Sequence, residues 1–152
     1  MKKRYYFFIV IALLAIDQIT KYLVSSNMTL YQEIPIIKNF FSLFYIRNDG
    51  AAFSMLGGQT WLFYIITIVA LVIVYFLYKS SNKSISLIAT SILLAGILGN
   101  FIDRLLYKEV IDFFSFTFGS YNFAVFNVAD SYIVIAVILF VIETLFLDKK
   151  VK

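Results

Sequence analysis

The 152-residue sequence has no cysteine, no histidine and a single proline, and only 14% of its residues are Asp, Glu, Lys or Arg. Without cysteine there is no disulfide, no thiolate metal ligand and no sulfur nucleophile. Without histidine there is no Ser-His-Asp triad, no histidine-based zinc motif and no imidazole base near neutral pH. A zinc site of carboxylates alone runs against that metal's preference for nitrogen and sulfur, so neither a metal nor a cofactor is expected. Acid–base chemistry must come from Asp, Glu, Lys, Tyr or water. The scarcity of charge excludes a water-soluble domain of this size. The net charge of +4 is small and forms no basic stripe, so nucleic acid is not an expected partner.

What is present is hydrophobic: 62% of the chain. A helix needs about 20 apolar residues to cross a bilayer. Four segments qualify, at about 5–24, 61–78, 85–102 and 130–147. The second and third carry no charge, the first is interrupted by Asp17 and Lys21, and the fourth has Asp130 at its start and Glu143 near its end. The first follows Lys2, Lys3 and Arg4, as a secretory signal would. Its apolar run is too long and no small-residue cleavage pattern follows, so it reads as a retained helix. The expected fold class is an all-α membrane protein with four transmembrane helices, one domain over residues 1–152.

Basic residues accumulate on cytoplasmic loops. Lys2, Lys3 and Arg4 precede the first span, Lys79 and Lys83 fill the tight link between the second and third, and Lys149, Lys150 and Lys152 follow the fourth. The opposite side receives only Lys38, Arg47, Arg104 and Lys108. Both termini are therefore expected inside and the longer connections, 25–59 and 103–129, outside. Within the first, Phe40–Ile46 reads as a strand and Asn48-Asp49-Gly50 as a turn. The second is dense in Phe and Tyr, which suits a membrane–water interface.

This topology gathers Asp17, Asp103, Asp112 and Asp130 in or near the outer half of the membrane. Asp17 lies seven residues before Val24, roughly 10 Å below the outer end of its span. A carboxylate at mid-membrane costs about 2.5–3.5 kcal/mol on insertion scales, so such residues usually face the bundle interior and mark function. Each also has a structural reading: an N-cap for Asp130, an ion pair for Asp17. Asp17 and Lys21, four apart, share a helix face and can pair. Asn100, Asp103 and Arg104 also share one face, and Arg104 can satisfy Asp103 or hold a carbonyl. Asn48 and Asn127 add neutral donors and acceptors. Asp112 and Asp130 lack an obvious local cation, Lys108 being expected to point to water. Two carboxylates that meet in a partly dehydrated pocket share a proton, which suffices to hydrolyse a peptide, but periodicity does not prove that these two meet. A transporter using Asp17 and Asp103, a Ser-Lys peptidase using Lys21 with Ser25 or Ser26, and a non-catalytic assembly factor remain alternatives. The first lacks the paired internal repeats common in transporters.

Five ordered stretches carry a resemblance: Asp17-Gln18-Ile19-Thr20-Lys21, Asn48-Asp49-Gly50-Ala51-Ala52-Phe53-Ser54, Gly99-Asn100-Phe101-Ile102-Asp103-Arg104, Val110-Ile111-Asp112-Phe113, and Phe126-Asn127-Val128-Ala129-Asp130-Ser131. The chain resembles the lipoprotein signal peptidase (signal peptidase II) family over almost its whole length. The resemblance implies an aspartyl endopeptidase of the bacterial cytoplasmic membrane with Asp112 and Asp130 as its catalytic pair. It implies that Asn48, Asn100, Arg104 and Asn127 position substrate or the pair, and that Asp17, Gly50, Asp103 and Ala129 shape the site, with Lys21 as the partner of Asp17. It also implies a small outer β-cradle, a short outer helix, and prolipoprotein substrates whose cysteine already carries diacylglycerol, cut just before that cysteine. Membrane lipids and cyclic peptide antibiotics are the further implied partners. Many members have proline where this chain has Ala124. Phe53, Trp61 and the phenylalanines of residues 113–118 are expected along a lateral opening to lipid.

Overall fold

The computed structural model describes residues 3–50 and 55–147. Four helices are long and apolar enough to cross a membrane. They are α1 (Tyr6–Asn27, after a 3-10 turn at Lys3–Tyr5), α2 (Thr60–Ser80), α3 (Ser84–Tyr107) and α4 (Val128–Ile142, continued by a π turn at Glu143–Leu147). No proline interrupts them, and their outward faces, such as Ile19, Ile66 and Val134, are apolar and exposed.

Two helices run further than their apolar stretches. α1 continues through polar residues to Asn27 because Ser25 Oγ donates to Tyr22 O and Asn27 Nδ2 to Leu23 O, which ties these side chains to the helix itself. Asp17 thus lies about 15 Å from the end of α1 at 1.5 Å per residue, deeper than the apolar run suggests. α3 likewise carries Asp103 inside its last turns and stops at Lys108, whose left-handed backbone (φ 63°) sends its N–H to Arg104 O.

α3 is the central helix, packed against the other three and half buried along its apolar window. Its small residues permit close approach to α4. A Cβ on Gly96 would sit 2.6 Å from Ala129 O and 2.8 Å from Ile133 Cγ1. Near the opposite end of the α3–α4 pair, Ser86 Oγ lies 2.5 and 2.7 Å from the two oxygens of buried Glu143, and Lys83 Nζ is 3.8 Å from one of them.

The two longer connections build one antiparallel sheet in the order β1 (Glu33–Ile37), β2 (Phe41–Asn48), β3 (Val110–Phe118) and β4 (Tyr121–Asn122). The strand expected at Phe40–Ile46 is β2, two residues longer at its end. Val24 and Met28 at the end of α1 pack with Tyr45, Ile111 and Phe113 of the sheet in one buried cluster. Phe114, Phe116 and Phe126 extend it as a ladder of rings, with Phe116 and Phe126 stacked at 5.8 Å. The sheet is thereby fastened to the end of the bundle where α1 and α3 finish and α4 begins. The short outer helix implied by the resemblance has no counterpart among the described residues of these connections, where residues 110–122 are given to β3, a turn and β4.

Candidate active site

Asp112 and Asp130 come from different elements and face one cavity. Asp112 lies on β3 and is 2% exposed. β2 and β3 pair with Asn48 opposite Val110, which puts Asn48 diagonal to Asp112 on the same face. Asn48 Nδ2 donates to Asp112 Oδ2 at 2.9 Å, and Asn127 Nδ2 donates to Asp112 Oδ1 at 2.7 Å. Burial pushes the Asp112 carboxyl up to about 7. The Asp130 charge adds to this rise, while the Asn48 and Asn127 donors and the Lys21 charge oppose it.

Asp130 is held by the start of α4. Asn127 is the N-cap: its Oδ1 accepts Asp130 N–H at 3.0 Å, and Asp130 Oδ2 accepts Asn127 N–H at 3.1 Å. Asp130 therefore completes a capping box from the third helical position and is not itself the N-cap. Its other oxygen accepts Asn100 Nδ2 at 2.7 Å. Asn100 Oδ1 in turn accepts from Asn127 Nδ2 at 3.0 Å. The amides of Asn100 and Asn127 thus join the two carboxylates edge to edge.

Behind them lies a charged cluster sealed from solvent. Lys21 Nζ is 3.0 Å from Asp17 Oδ2, from Asp103 Oδ2 and from Asn100 Oδ1. The i,i+4 pairing of Asp17 with Lys21 is present, and Asp103 pairs with Lys21 rather than with Arg104. Asp17 Oδ1 accepts Ala129 N–H at 2.9 Å, and Asp103 Oδ2 accepts Ile111 N–H at 3.1 Å, so the cluster also ties α1 to α4 and α3 to β3. Ala129 is fully buried. Gln18 Nε2 is a further donor to the cluster, 3.1 Å from Asp17 Oδ2 and 3.2 Å from both Gly99 O and Asp103 Oδ1, a bridging role that the sequence signals only through the place of Gln18 in the first motif.

Arg104 holds a carbonyl. Its Nη2 donates to Gly50 O at 3.1 Å and its guanidinium lies over the Phe63 ring at 4.5 Å. Gly50 N–H donates to Asn48 Oδ1 at 2.9 Å, so Arg104 braces the turn that presents Asn48 to Asp112. Lys108 is exposed at the left-handed end of α3. Lys21 has all three ammonium hydrogens committed, and the half-buried Ser25 donates to Tyr22 O, so the Ser-Lys arrangement is not assembled.

The cavity, about 750 Å³, is bounded by Asn48, Arg104, Asp112 and Asp130 on its polar side. Its apolar wall includes Phe63, Phe123 and Phe126 and continues onto the exposed Val134 and Ile135 of α4. Trp61 and the phenylalanines of residues 113–118 do not line it: Trp61 is exposed, Phe113 is in the core, Phe114 packs edge-on against Phe113, and Phe116 and Phe118 stack on each other; Phe53 and residues 51–52 and 54 of its motif lie outside the described residues. Among the described residues no three acidic side chains gather as a metal site.

The family model for signal peptidase (SPase) II matches residues 9–146. A lipoprotein signal peptidase of Bacillus pumilus is 43% identical over 150 residues, covering 97% of each chain. One from Listeria monocytogenes is 41% identical over 150 residues, again covering 97% of each. A bacterial membrane enzyme solved by the in meso method at 2.3 Å superposes with a TM-score of 0.88 and 36% identity, covering 97% of this chain and 91% of that one. A second, at 1.9 Å, gives 0.84 and 36%, covering 93% and 92%. With its four apolar helices, the chain is a bacterial membrane enzyme and belongs to the signal peptidase II family.

Proposed function

We propose that this protein is an aspartyl endopeptidase that removes the signal peptide from diacylglyceryl-modified prolipoproteins, cutting before the lipidated cysteine. The carrying observation is the pair of carboxylates, Asp112 and Asp130, facing one cavity and joined through the amides of Asn100 and Asn127. Two such groups share one proton at neutral pH. Asp112, whose carboxyl is raised to about 7, holds it. Asp130 then takes a proton from water as the water oxygen attacks the scissile carbonyl carbon, while Asp112 gives its proton to the carbonyl oxygen. Collapse of the tetrahedral intermediate breaks the C–N bond. The proton on Asp130 passes to the leaving amine, and the hydroxyl proton returns to Asp112.

Arg104, Asn48, Gly50, Asn100 and Asn127 position the peptide and the pair; Asp17, Lys21, Asp103 and Ala129 hold the helices that carry them. The exposed apolar wall formed by Val134 and Ile135 suits acyl chains and a signal helix arriving sideways through the bilayer, so membrane lipids are neighbours of the site. Cyclic peptide antibiotics would occupy the same cavity. The distribution of Lys and Arg supports cytoplasmic termini and a site near the outer face, all within one peptidase domain. The test is cleavage of a diacylglyceryl-modified precursor by the purified protein in detergent. Release of the signal peptide by the wild type, its loss in Asp130→Asn and resistance of the unmodified precursor are expected; equal cleavage of both precursors would remove the lipid requirement.

A further inference from the structure

An asparagine amide can face either way, and the direction of Asn100 decides whether a donor or an acceptor meets Asp130. Its Nδ2 donates to Asp130 Oδ1 at 2.7 Å, so its oxygen must be held on the far side. Two groups donate to that oxygen: Asn127 Nδ2 at 3.0 Å and Lys21 Nζ at 3.0 Å. Asn127 is the weaker anchor, because its two N–H groups are shared among Asn100 Oδ1, Ile111 O at 3.3 Å and Asp112 Oδ1 at 2.7 Å. Lys21 can only donate, and it is immobilised: its side chain is 2% exposed and its other two hydrogens go to Asp17 and Asp103.

We propose that Lys21 is a positioning residue for peptide hydrolysis: its ammonium fixes the orientation of the Asn100 amide and, through it, the hydrogen bond received by Asp130. The inference rests on the reading of Asp112 and Asp130 as the catalytic pair. Lys21 touches neither substrate nor the reacting atoms. It acts one group removed, across the α1–α3 contact, and its positive charge also favours the ionised form of Asp112. The charged and titratable groups around this system are Asp17 on α1, Asp103 and Arg104 on α3, Asp112 on β3, and Asp130 and Tyr132 on α4.

Lys21→Met keeps the length of the side chain and removes its donors. It also leaves Asp17 and Asp103 facing each other, which destabilises the fold by itself. Lys21→Met/Asp103→Asn relieves that repulsion without restoring a cation behind Asn100. Both variants, and Asp112→Asn in parallel, are assayed as full chains in detergent on a diacylglyceryl-modified precursor, with thermal unfolding alongside. The expected result is a fall in kcat of about tenfold or more, the consequence of losing a hydrogen bond to a charged group, with KM changed by less than about twofold. The pH–rate profile should move to higher pH, because a donor and a positive charge are withdrawn from the pair. The double variant should regain melting temperature and not kcat. Recovery of kcat together with stability, an unmoved profile, or unfolding of both variants would reduce Lys21 to a structural ion pair. Normal turnover in the Lys21 variants with an inactive Asp112→Asn overturns this inference alone; normal turnover in Asp112→Asn overturns the catalytic pair beneath it.

Discussion

Asn127 donates to Asp112 Oδ1 at 2.7 Å while its own Oδ1 caps α4 by accepting the Asp130 N–H. One fully buried side chain therefore sets the start of a transmembrane helix and the position of a carboxylate on a strand. Helix capping and site geometry cannot be varied separately here.

The pair acts as a unit. Asp112→Asn and Asp130→Asn should each lower precursor cleavage by on the order of 10³ or more, and the double variant should be hardly worse than either. Asp49→Asn is the control. Asp49 Oδ2 accepts the Gly58 N–H at 2.9 Å, an interaction that an amide oxygen reproduces, so this change should cost little. The measurement is cleavage at matched membrane levels; near-normal turnover in a well-folded Asp112→Asn would end the aspartyl assignment.

Both rate and stability should respond to pH through Asp112. Its carboxyl is raised from the ordinary 3.8 to about 7, so between these values the folded state binds more protons than the unfolded one. Stability contributed by this group therefore falls as pH rises across that window and is level above it. Thermal unfolding in detergent at pH 5 and pH 8 should show a decline that Asp112→Asn lacks. As the proton donor, Asp112 should also make kcat/KM fall above about pH 7, a limb belonging to the pair.

Arg104→Ala should impair cleavage by about tenfold or more, since it removes a charge-assisted bond to Gly50 O at 3.1 Å and loosens the turn that carries Asn48. Lys108→Ala, at an exposed position, should change the rate little. Equal and negligible effects in the cleavage assay would show that the Gly50 turn holds without Arg104.

Gly99→Ala should damage fold and activity together. The added Cβ would overlap Asp17 Oδ2 and lie 3.1 Å from Ala129 Cβ, both on backbone-anchored groups. Overpacking of this kind costs about 1–3 kcal/mol. Thermal unfolding and the cleavage assay should fall in step; an unchanged melting temperature would mean that α1 and α4 can separate from α3 without penalty.

Reporter fusions test the orientation. A reporter after Lys83 should give a cytoplasmic signal, and one within residues 115–120, around the β3–β4 turn, an external one. The reverse pattern would invert the topology and place the cavity on the wrong side of the membrane for an exported precursor.

Much was determined by the sequence alone. Four long apolar runs in a chain with few charges leave a helical bundle in lipid as the available solution, because a bilayer core demands that backbone groups be satisfied within each segment. The i,i+4 spacing of Asp17 and Lys21 and the short aromatic-rich apolar run at Phe40–Ile46 are local, so the ion pair and β2 could be read directly. What only the tertiary structure decided is which distant groups share a hydrogen. Whether Asp103 would meet Arg104 or Lys21 depends on the packing of α1 against α3, and it meets Lys21 across 82 residues of chain. Asp112 reaches Asn48 only because β2 and β3 pair in one particular register. The aromatic residues around the cavity followed the same rule: ring contacts within the sheet took Phe114 and Phe116, while Phe126, stacked on Phe116, also reaches the cavity wall with Phe63. Periodicity describes the face a residue takes on its own element, whereas a proton shared between two elements is set by how those elements dock.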